Sequence, residues 1–166
     1  MTSLNPLMRI GAQVEETLMI HTGMSPGDRK KAALQALEEV GIHDPETTYA
    51  KYPHQLSGGQ RQRVMIASAM IIHPKLVICD EPTTALDVSV QAQILELLRR
   101  MSDDYNAAVL LISHDLKVIN KLCERVAVMY RGDIVEEGKT KSLFERPQDQ
   151  YTQKLIAAIP KRKRHE

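Results

Sequence analysis

Three groups of residues in this chain have the types and the spacing that phosphate chemistry uses. The sequence L-S-G-G-Q occupies residues 56–60, the acidic pair Asp80 and Glu81 follows it, and His114 comes later. Glycine amides, carboxylates and a histidine can neutralise charge and position water, which is most of what phosphoryl transfer requires of a protein. Each group alone is common, so their order along one chain is the informative observation.

The glycine sequence predicts a helix start that suits an anion. Ser57 is a favourable N-cap residue, and Gly58 and Gly59 let the backbone approach a ligand closely. Gln60 then opens a helix that runs until Pro74 forbids it. The free N–H groups and the positive end of the helix dipole would face an anion. An ordinary glycine-containing helix start is the alternative.

Two apolar runs end in polar residues and predict buried strands. Residues 76–79 precede Asp80 and Glu81, and residues 107–112 precede His114. Such runs are typical of parallel strands that are buried on both faces, and α/β sheets bind ligands at the carboxyl ends of these strands. If the strands are parallel, the three polar side chains share one rim. Solvated strand ends and a plain loop histidine are the alternatives.

Helical periodicity dominates the chain before the first strand. One helix is predicted from the spacing of Ile10, Val14 and Leu18. A second helix has its own capping residues, apolar stripe and terminal glycine: Ser25, Pro26, Asp28, Leu34, Leu37, Val40 and Gly41. Residues 44–51 favour a short polar helix, so residues 7–73 are expected to be all-helical.

Helices and a hairpin are predicted after the acidic pair. Asp87 can cap a helix whose apolar residues lie along one face: Val90, Ile94, Leu97, Leu98 and Met101. A helix over residues 116–122 precedes a hairpin around residues 131–133, and Gly138 is expected to break its second strand. The remaining segments are two short helices and a solvated basic tail, at residues 141–145, 151–158 and 161–164.

Length, charge and cysteine content limit the possible functions. The chain has 166 residues, enough for one domain, and its net charge of +1 gives no argument for a nucleic-acid partner. Cys79 and Cys123 lack metal-ligand spacing and are expected to be reduced, packed thiols. Four histidines are expected to be solvated or packed: His21, His43, His54 and His73. No apolar run approaches the roughly 18–20 residues of a membrane span.

The same groups, with Y-P-H-Q at residues 52–55 and E-P-T-T-A-L-D at residues 81–87, resemble the ATP-binding subunit of ABC transporters. The motifs are similar to those of the peptide and nickel importer branch, and the resemblance covers nearly the whole chain. It implies an α/β fold, the P-loop NTPase domain of an ABC ATPase lacking its amino-terminal phosphate-loop part. The implied parts are a helical signature subdomain, the carboxyl-terminal part of the sheet core, and terminal helices with the basic tail, at residues 1–73, 74–138 and 139–166.

The resemblance also implies ATP and Mg²⁺ as cofactors and assigns roles to residues. Asp80 would hold Mg²⁺ through a water molecule, Glu81 would act on the attacking water, and His114 would reach the γ-phosphate. Asp87 has two compatible roles, as a helix cap and as an inter-subunit loop residue. The residues implied to bind the nucleotide are Ser57, Gly58, Gly59, Gln60, Asp80 and Asp87.

The implied partners are other subunits of an importer. They are a second ATP-binding subunit, in a homo- or heterodimer, and integral membrane permease subunits, with a solute-binding protein engaged indirectly. The complete subunit would hydrolyse ATP at the cytoplasmic face of the membrane, to import peptides or a related solute such as nickel or a glutathione-like compound. No nucleic-acid partner is expected.

One family element has no counterpart in the 166 residues. No G-x-x-x-x-G-K-[ST] sequence is present, and Gly138-Lys139-Thr140 lacks the earlier glycine. The chain also begins just after the position of the family's glutamine loop. The family holds each nucleotide between the phosphate loop of one subunit and the S-G-G of the other. The chain is therefore expected to supply only the second half of that clamp.

Two other functions remain as alternatives. A truncated, catalytically silent partner or fragment would donate only its signature sequence to another subunit's ATP site. A chromosome-maintenance or recombination ATPase uses a similar signature helix, but such proteins insert long heptad coiled coils before it, and residues 7–55 show no heptads.

Overall fold

A computed structural model of the chain describes residues 4–84 and 86–159. The chain divides into two compact units, Met1–Leu110 and Leu111–Glu166. The predicted basic tail at residues 161–164 lies outside the described residues. The elements within them are α1 Ile10–His21, α2 Pro26–Glu39, α3 Pro45–Ala50, a 3₁₀ turn Pro53–Gln55, α4 Gly58–Met70, β1 Leu76–Asp80, α5 Val88–Tyr105, β2 Ala108–Ile112, α6 Leu116–Leu122, β3 Arg125–Tyr130, β4 Asp133–Lys139, α7 Thr140–Glu145 and α8 Gln150–Ala157.

Helices α1 to α4 form much of the core of the first unit, and α1 packs against each of the other three. The predicted stripes of α1 and α2 are buried except at Leu34, which is half-buried, and Val14 and Leu37 have no exposed surface. The capping signals act as predicted: the Ser25 hydroxyl accepts a hydrogen bond from the backbone of Asp28 at 3.2 Å. The predicted helical nature of this segment is therefore confirmed.

Helix α4 differs from the prediction at both ends. It begins at Gly58, two residues before the predicted start at Gln60, because the Ser57 side chain caps it there. It ends at Met70, and His73 then has a φ of +50°. The residue before a proline is disfavoured in the helical region, so the chain leaves the helix well before Pro74.

Strands β1 and β2 are neighbours in a two-stranded sheet. The N–H of Ala108 donates to the carbonyl of Lys75 at 2.9 Å, so the strands begin side by side and run in the same direction. This direction is the one that the sequence analysis assumed.

The predicted burial of both faces of these strands is wrong. In β1, Val77 and Cys79 are buried, whereas Leu76 and Ile78 are 54% and 62% exposed. The apolar residues of β2 that lie at the surface are Val109, Leu110 and Ile112. A continuous apolar run here forms a strand with alternating burial, because in the part of the chain that the structure describes only one face of β1 is covered.

The second unit contains α6, the β3–β4 hairpin, α7 and α8. Arg131 and Gly132 form the hairpin turn with φ values of 52° and 94°, which suits the twist of antiparallel strands. Gly138 does not break β4, because it pairs with Val126 inside the ladder. That prediction is wrong, while the helices predicted over residues 116–122, 141–145 and 151–158 are confirmed as α6, α7 and α8.

Candidate functional site

The start of α4 is closed by a reciprocal pair of hydrogen bonds. The Ser57 hydroxyl accepts from the Gln60 N–H at 3.2 Å, and the Gln60 side chain accepts from the Ser57 N–H at 3.0 Å. This capping box places Gly58 and Gly59 at the first two helical positions, where amides have no intrahelical acceptor. Since Ser57 is exposed, a positive helix end with amide donors lies at the surface.

The two glycines also have a packing role that the sequence analysis missed. A Cβ atom added to Gly58 would lie 3.2 Å from Cδ2 of Leu86, and one added to Gly59 would lie 2.8 Å from Cγ1 of Val90. The second distance is shorter than real Cβ contacts allow, so Gly59 is required by its neighbour. The first turns of α4 and α5 therefore lie against each other.

Asp87 caps α5 as predicted. One of its carboxylate oxygens accepts from the N–H groups of Ser89 and Val90, at 3.1 and 3.0 Å, and from the Ser89 hydroxyl at 2.7 Å. The hydrogen bond from Val90, followed by that from the Ser89 hydroxyl, holds the pKa of Asp87 below its usual range. Because Gly59 approaches Val90, the Ser57 and Asp87 caps belong to adjacent helix starts.

The acidic pair lies at the carboxyl end of β1. Asp80 is the last residue of the strand and is exposed. Glu81 is half-buried and has a φ of +49°, a left-handed conformation that a glutamate rarely adopts.

Thr84 holds the carboxylate of Glu81, a contact that the sequence analysis missed. Its hydroxyl donates to Oε2 of Glu81 at 2.8 Å, and its N–H donates to the Glu81 carbonyl at 3.2 Å. The preceding Thr83 is buried and accepts from the side chain of Gln91 on α5 at 3.1 Å. The sequence does contain a sign of this contact, because Thr84 follows Glu81 by three residues. Side chains at that spacing can form a hydrogen bond across a turn.

His114 belongs to the second unit and lies in the turn between β2 and α6. Its side chain is exposed. The turn is ordered on both sides, because the Asp115 N–H donates to the Ser113 hydroxyl at 3.1 Å and the Asp115 carboxylate caps α6 through the N–H of Lys117 at 2.9 Å. The histidine is thus presented at the surface by a fixed turn.

Neither cysteine takes part in a disulfide. Burial raises the pKa of both the Cys79 and the Cys123 thiol, and the expected packing is found with Cys79 buried and Cys123 half-buried. Within residues 4–84 and 86–159, no cluster of three or more potential metal ligands from histidine, cysteine and acidic side chains is present. No helix of this described part is long and apolar enough to span a membrane.

A family model described as "ABC transporter" matches residues 2–84, which is half of the chain and includes L-S-G-G-Q and the acidic pair. The chain belongs to the ABC transporter family. It is 51% identical to the dipeptide transport ATP-binding protein DppD of Haemophilus influenzae and 48% identical to that of Escherichia coli, over 96% of this chain in both cases. A putative peptide import ATP-binding protein of Brucella abortus is 49% identical over 95% of the chain. These relatives confirm the predicted oligopeptide and dipeptide importer branch.

The fold prediction is confirmed by solved structures. The ATP-binding cassette MJ0796, in its dimeric structure with ADP and phosphate, superimposes with a TM-score of 0.71 and 33% sequence identity, over 83% of this chain and 59% of that one. The chain is thus an α/β partial ABC ATPase domain. It spans about half the length of the curated relatives it matches, with 48% of the Haemophilus protein and 49% of the Escherichia protein covered.

Proposed function

We propose that this chain forms the signature-bearing part of an ATP-binding subunit that powers uptake of peptides or a related solute. The observation that carries the proposal is the exposed, capped start of α4, which offers amide donors beside the start of α5. The names of the relatives, which refer to dipeptide transport and peptide import, support the solute class. The proposed partners are a second ATP-binding subunit and membrane permease subunits, at the cytoplasmic face of the membrane.

The residues at the carboxyl end of β1 fit Mg²⁺ and a phosphate group. Mg²⁺ binds one or two carboxylates together with phosphate oxygens, and Asp80 offers an exposed carboxylate at a strand end. When bound, the ion neutralises phosphate charge. Glu81, oriented by Thr84, accepts a proton from the attacking water, and His114 donates a hydrogen bond to the terminal phosphate. The Ser57 hydroxyl and the N–H groups of Gly58 and Gly59 donate hydrogen bonds to a nucleotide held by the partner subunit, since the Ser57 N–H already donates to Gln60.

A second candidate function is that of a silent donor. Among the 166 residues no G-x-x-x-x-G-K-[ST] sequence is found, and that loop is what cradles the β- and γ-phosphates. In this function the chain contributes only its signature residues to the ATP site of another subunit. Both functions use the start of α4, and they differ in whether Glu81 acts on water.

The test is a phosphate-release assay on the purified chain alone and mixed with a family subunit whose phosphate loop is intact. We expect no saturable ATPase activity from the chain alone and stimulated turnover in the mixture. Ser57→Arg should abolish the stimulation, because the bulky side chain blocks the approach to Gly58 and Gly59. Ser25→Arg is the matched control, since Ser25 caps α2 in the same way but lies on another helix.

Glu81→Gln distinguishes the two functions. In the mixture this change in the donor chain should leave stimulation intact. With a phosphate-loop half fused ahead of residue 1, the same change should reduce hydrolysis by about 10²–10⁴-fold while nucleotide still binds, the usual span of general-base catalysis. Glu81-dependent activity from the 166-residue chain alone would exclude the silent donor. Stimulation that persists in Ser57→Arg would remove the role of the signature residues.

A further inference from the structure

The carboxyl end of α2 is stabilised by arginines that come from two other helices. Its last turn contains no basic residue of its own. The carbonyl of Glu39 accepts from Nη2 of Arg100 on α5 at 2.7 Å, and the carbonyl of Val40 accepts from Nη1 of Arg63 on α4. These carbonyls form the negative end of the helix dipole, which cations stabilise. Helices α2, α4 and α5 therefore meet at one junction.

Gly41 lies directly beside the Arg63 guanidinium at this junction. Gly41 has a φ of +79°, which other residues rarely adopt. A Cβ atom at this position would also lie 2.9 Å from Nη1 of Arg63. The positive φ therefore favours glycine at position 41, and a side chain there would also displace the Arg63 guanidinium from its present place.

Arg63 also binds α5 with the other arm of its guanidinium. Its Nη2 donates to Oε1 of Gln93 at 3.2 Å. Along the helices, Arg63 follows Gly59 by four residues and Gln93 follows Val90 by three, so this bond lies about one turn beyond the contact of Gly59 with Val90. A planar guanidinium with donors in a fixed fork is suited to fix two acceptors at once.

We propose that Arg63 is a positioning residue that fixes the starts of α4 and α5 relative to each other, so that residues 57–59 and Asp87 meet a partner's nucleotide as one surface. The inference rests on the proposed function, because the nucleotide of the partner is what this surface would meet. Arg63 itself touches Val40 and Gln93, and it acts on the nucleotide only through the two helix starts.

The variants are designed so that the fold survives. Arg63 and Gln93 border a surface recess of about 450 Å³, which water can fill when a side chain is shortened. Arg63→Ala removes both arms, and Gln93→Ala removes only the arm to α5. Arg99→Ala is the matched control, because Arg99 lies on α5, is exposed and forms an ion pair with Glu96, one turn away on the same helix.

The first readout is ATPase kinetics of the mixture with a phosphate-loop subunit. We expect Arg63→Ala to raise the KM for ATP by about tenfold with kcat at saturation little changed. The variant loses hydrogen bonds from a charged group, and the free energy of such bonds corresponds to about a tenfold change in an equilibrium constant or more. Gln93→Ala should raise KM by a smaller factor. Arg99→Ala should match the unmodified chain. A fall in kcat with KM unchanged would contradict a positioning role.

The second readout is amide hydrogen exchange of the chain without nucleotide. In Arg63→Ala we expect the hydrogen-bonded amides of Gln60, Arg61 and Val90 to exchange faster than in the Arg99→Ala control. If the unmodified chain fails to stimulate the mixture, the proposed function fails, while this comparison still tests Arg63. Unaltered exchange in Arg63→Ala would overturn the inference. If Arg63→Ala loses its helical circular dichroism, Gln93→Ala decides instead, and exchange equal to that of the control would overturn it.

Discussion

Many apolar side chains are buried on helices α1 to α4, whereas several on strands β1 and β2 are exposed. Val14, Leu37 and Val64 are fully buried between helices, whereas Leu76 and Ile78 on β1 are 54% and 62% exposed. A helix satisfies its backbone internally and needs to bury one stripe, while a strand has two faces and two edges. Helices α1 to α4 therefore pack largely against one another, whereas the described part of the chain covers only one face of β1.

The largest expected effect comes from removing a helical core side chain. Leu37→Ala should lower the free energy of unfolding by about 2–5 kcal/mol, since the cavity adds to the lost transfer free energy. Ile78→Ala on β1 should change it by less than about 0.5 kcal/mol, because the side chain is already largely in water. Urea unfolding followed by circular dichroism measures both. Equal losses would show that the two regions do not differ in this way.

A charge on the exposed face of β1 should change association with little change in stability. Ile78→Lys removes an apolar surface residue and adds a charge to a strand, which are two ways that natural sheets avoid aggregation. We expect less light scattering and a smaller sedimentation coefficient at the same concentration. Gln35→Lys, at an exposed position of α2, is the control and should leave both unchanged. If both variants reduce scattering equally, the net charge is responsible rather than the strand face.

The smallest expected effect is on the ionisation of two tyrosines whose hydroxyl groups form hydrogen bonds between helices. The hydroxyl of Tyr49 on α3 donates to Glu15 on α1, and that of Tyr105 on α5 donates to Glu39 on α2. Burial first, and then these hydrogen bonds, raise the pKa of each phenol to about 12. The folded chain thus retains these protons longer, so the contribution to stability is complete below about pH 10 and is lost as the pH rises through about 12.

Tyrosinate absorbance against pH measures this effect. Tyr49→Phe and Tyr105→Phe should each remove one late-ionising phenol from the curve of the chain's five tyrosines. The amplitude near pH 12 should therefore fall in each variant. An unchanged late amplitude in both variants would contradict the two inter-helix hydrogen bonds.

Much of the local structure followed from single residues. Ser25, Ser57 and Asp87 cap the helices that they were predicted to cap. Gly41 ends α2 in the left-handed conformation expected of a terminal glycine. These predictions succeed because a cap is formed by atoms within a few residues of each other, so the sequence contains both donor and acceptor.

The errors concern contacts between distant residues. Gly138 was expected to end a strand, but its pairing with Val126 keeps it in the ladder. The approach of Gly59 to Val90 was not anticipated either. A glycine's local preference is weak, so the partner strand or helix decides its conformation.

For the candidate site, the sequence by itself determined which groups are available and at which ends of which elements they lie. Residues 57–60 begin a helix, Asp80 ends a strand, and His114 lies in the turn before the next helix. Only the tertiary structure decided that α4 and α5 begin side by side, and that Arg63 joins them to the end of α2. The physical reason is that caps depend on neighbours along the chain, whereas the spacing of two helix starts depends on side chains that packing alone brings together.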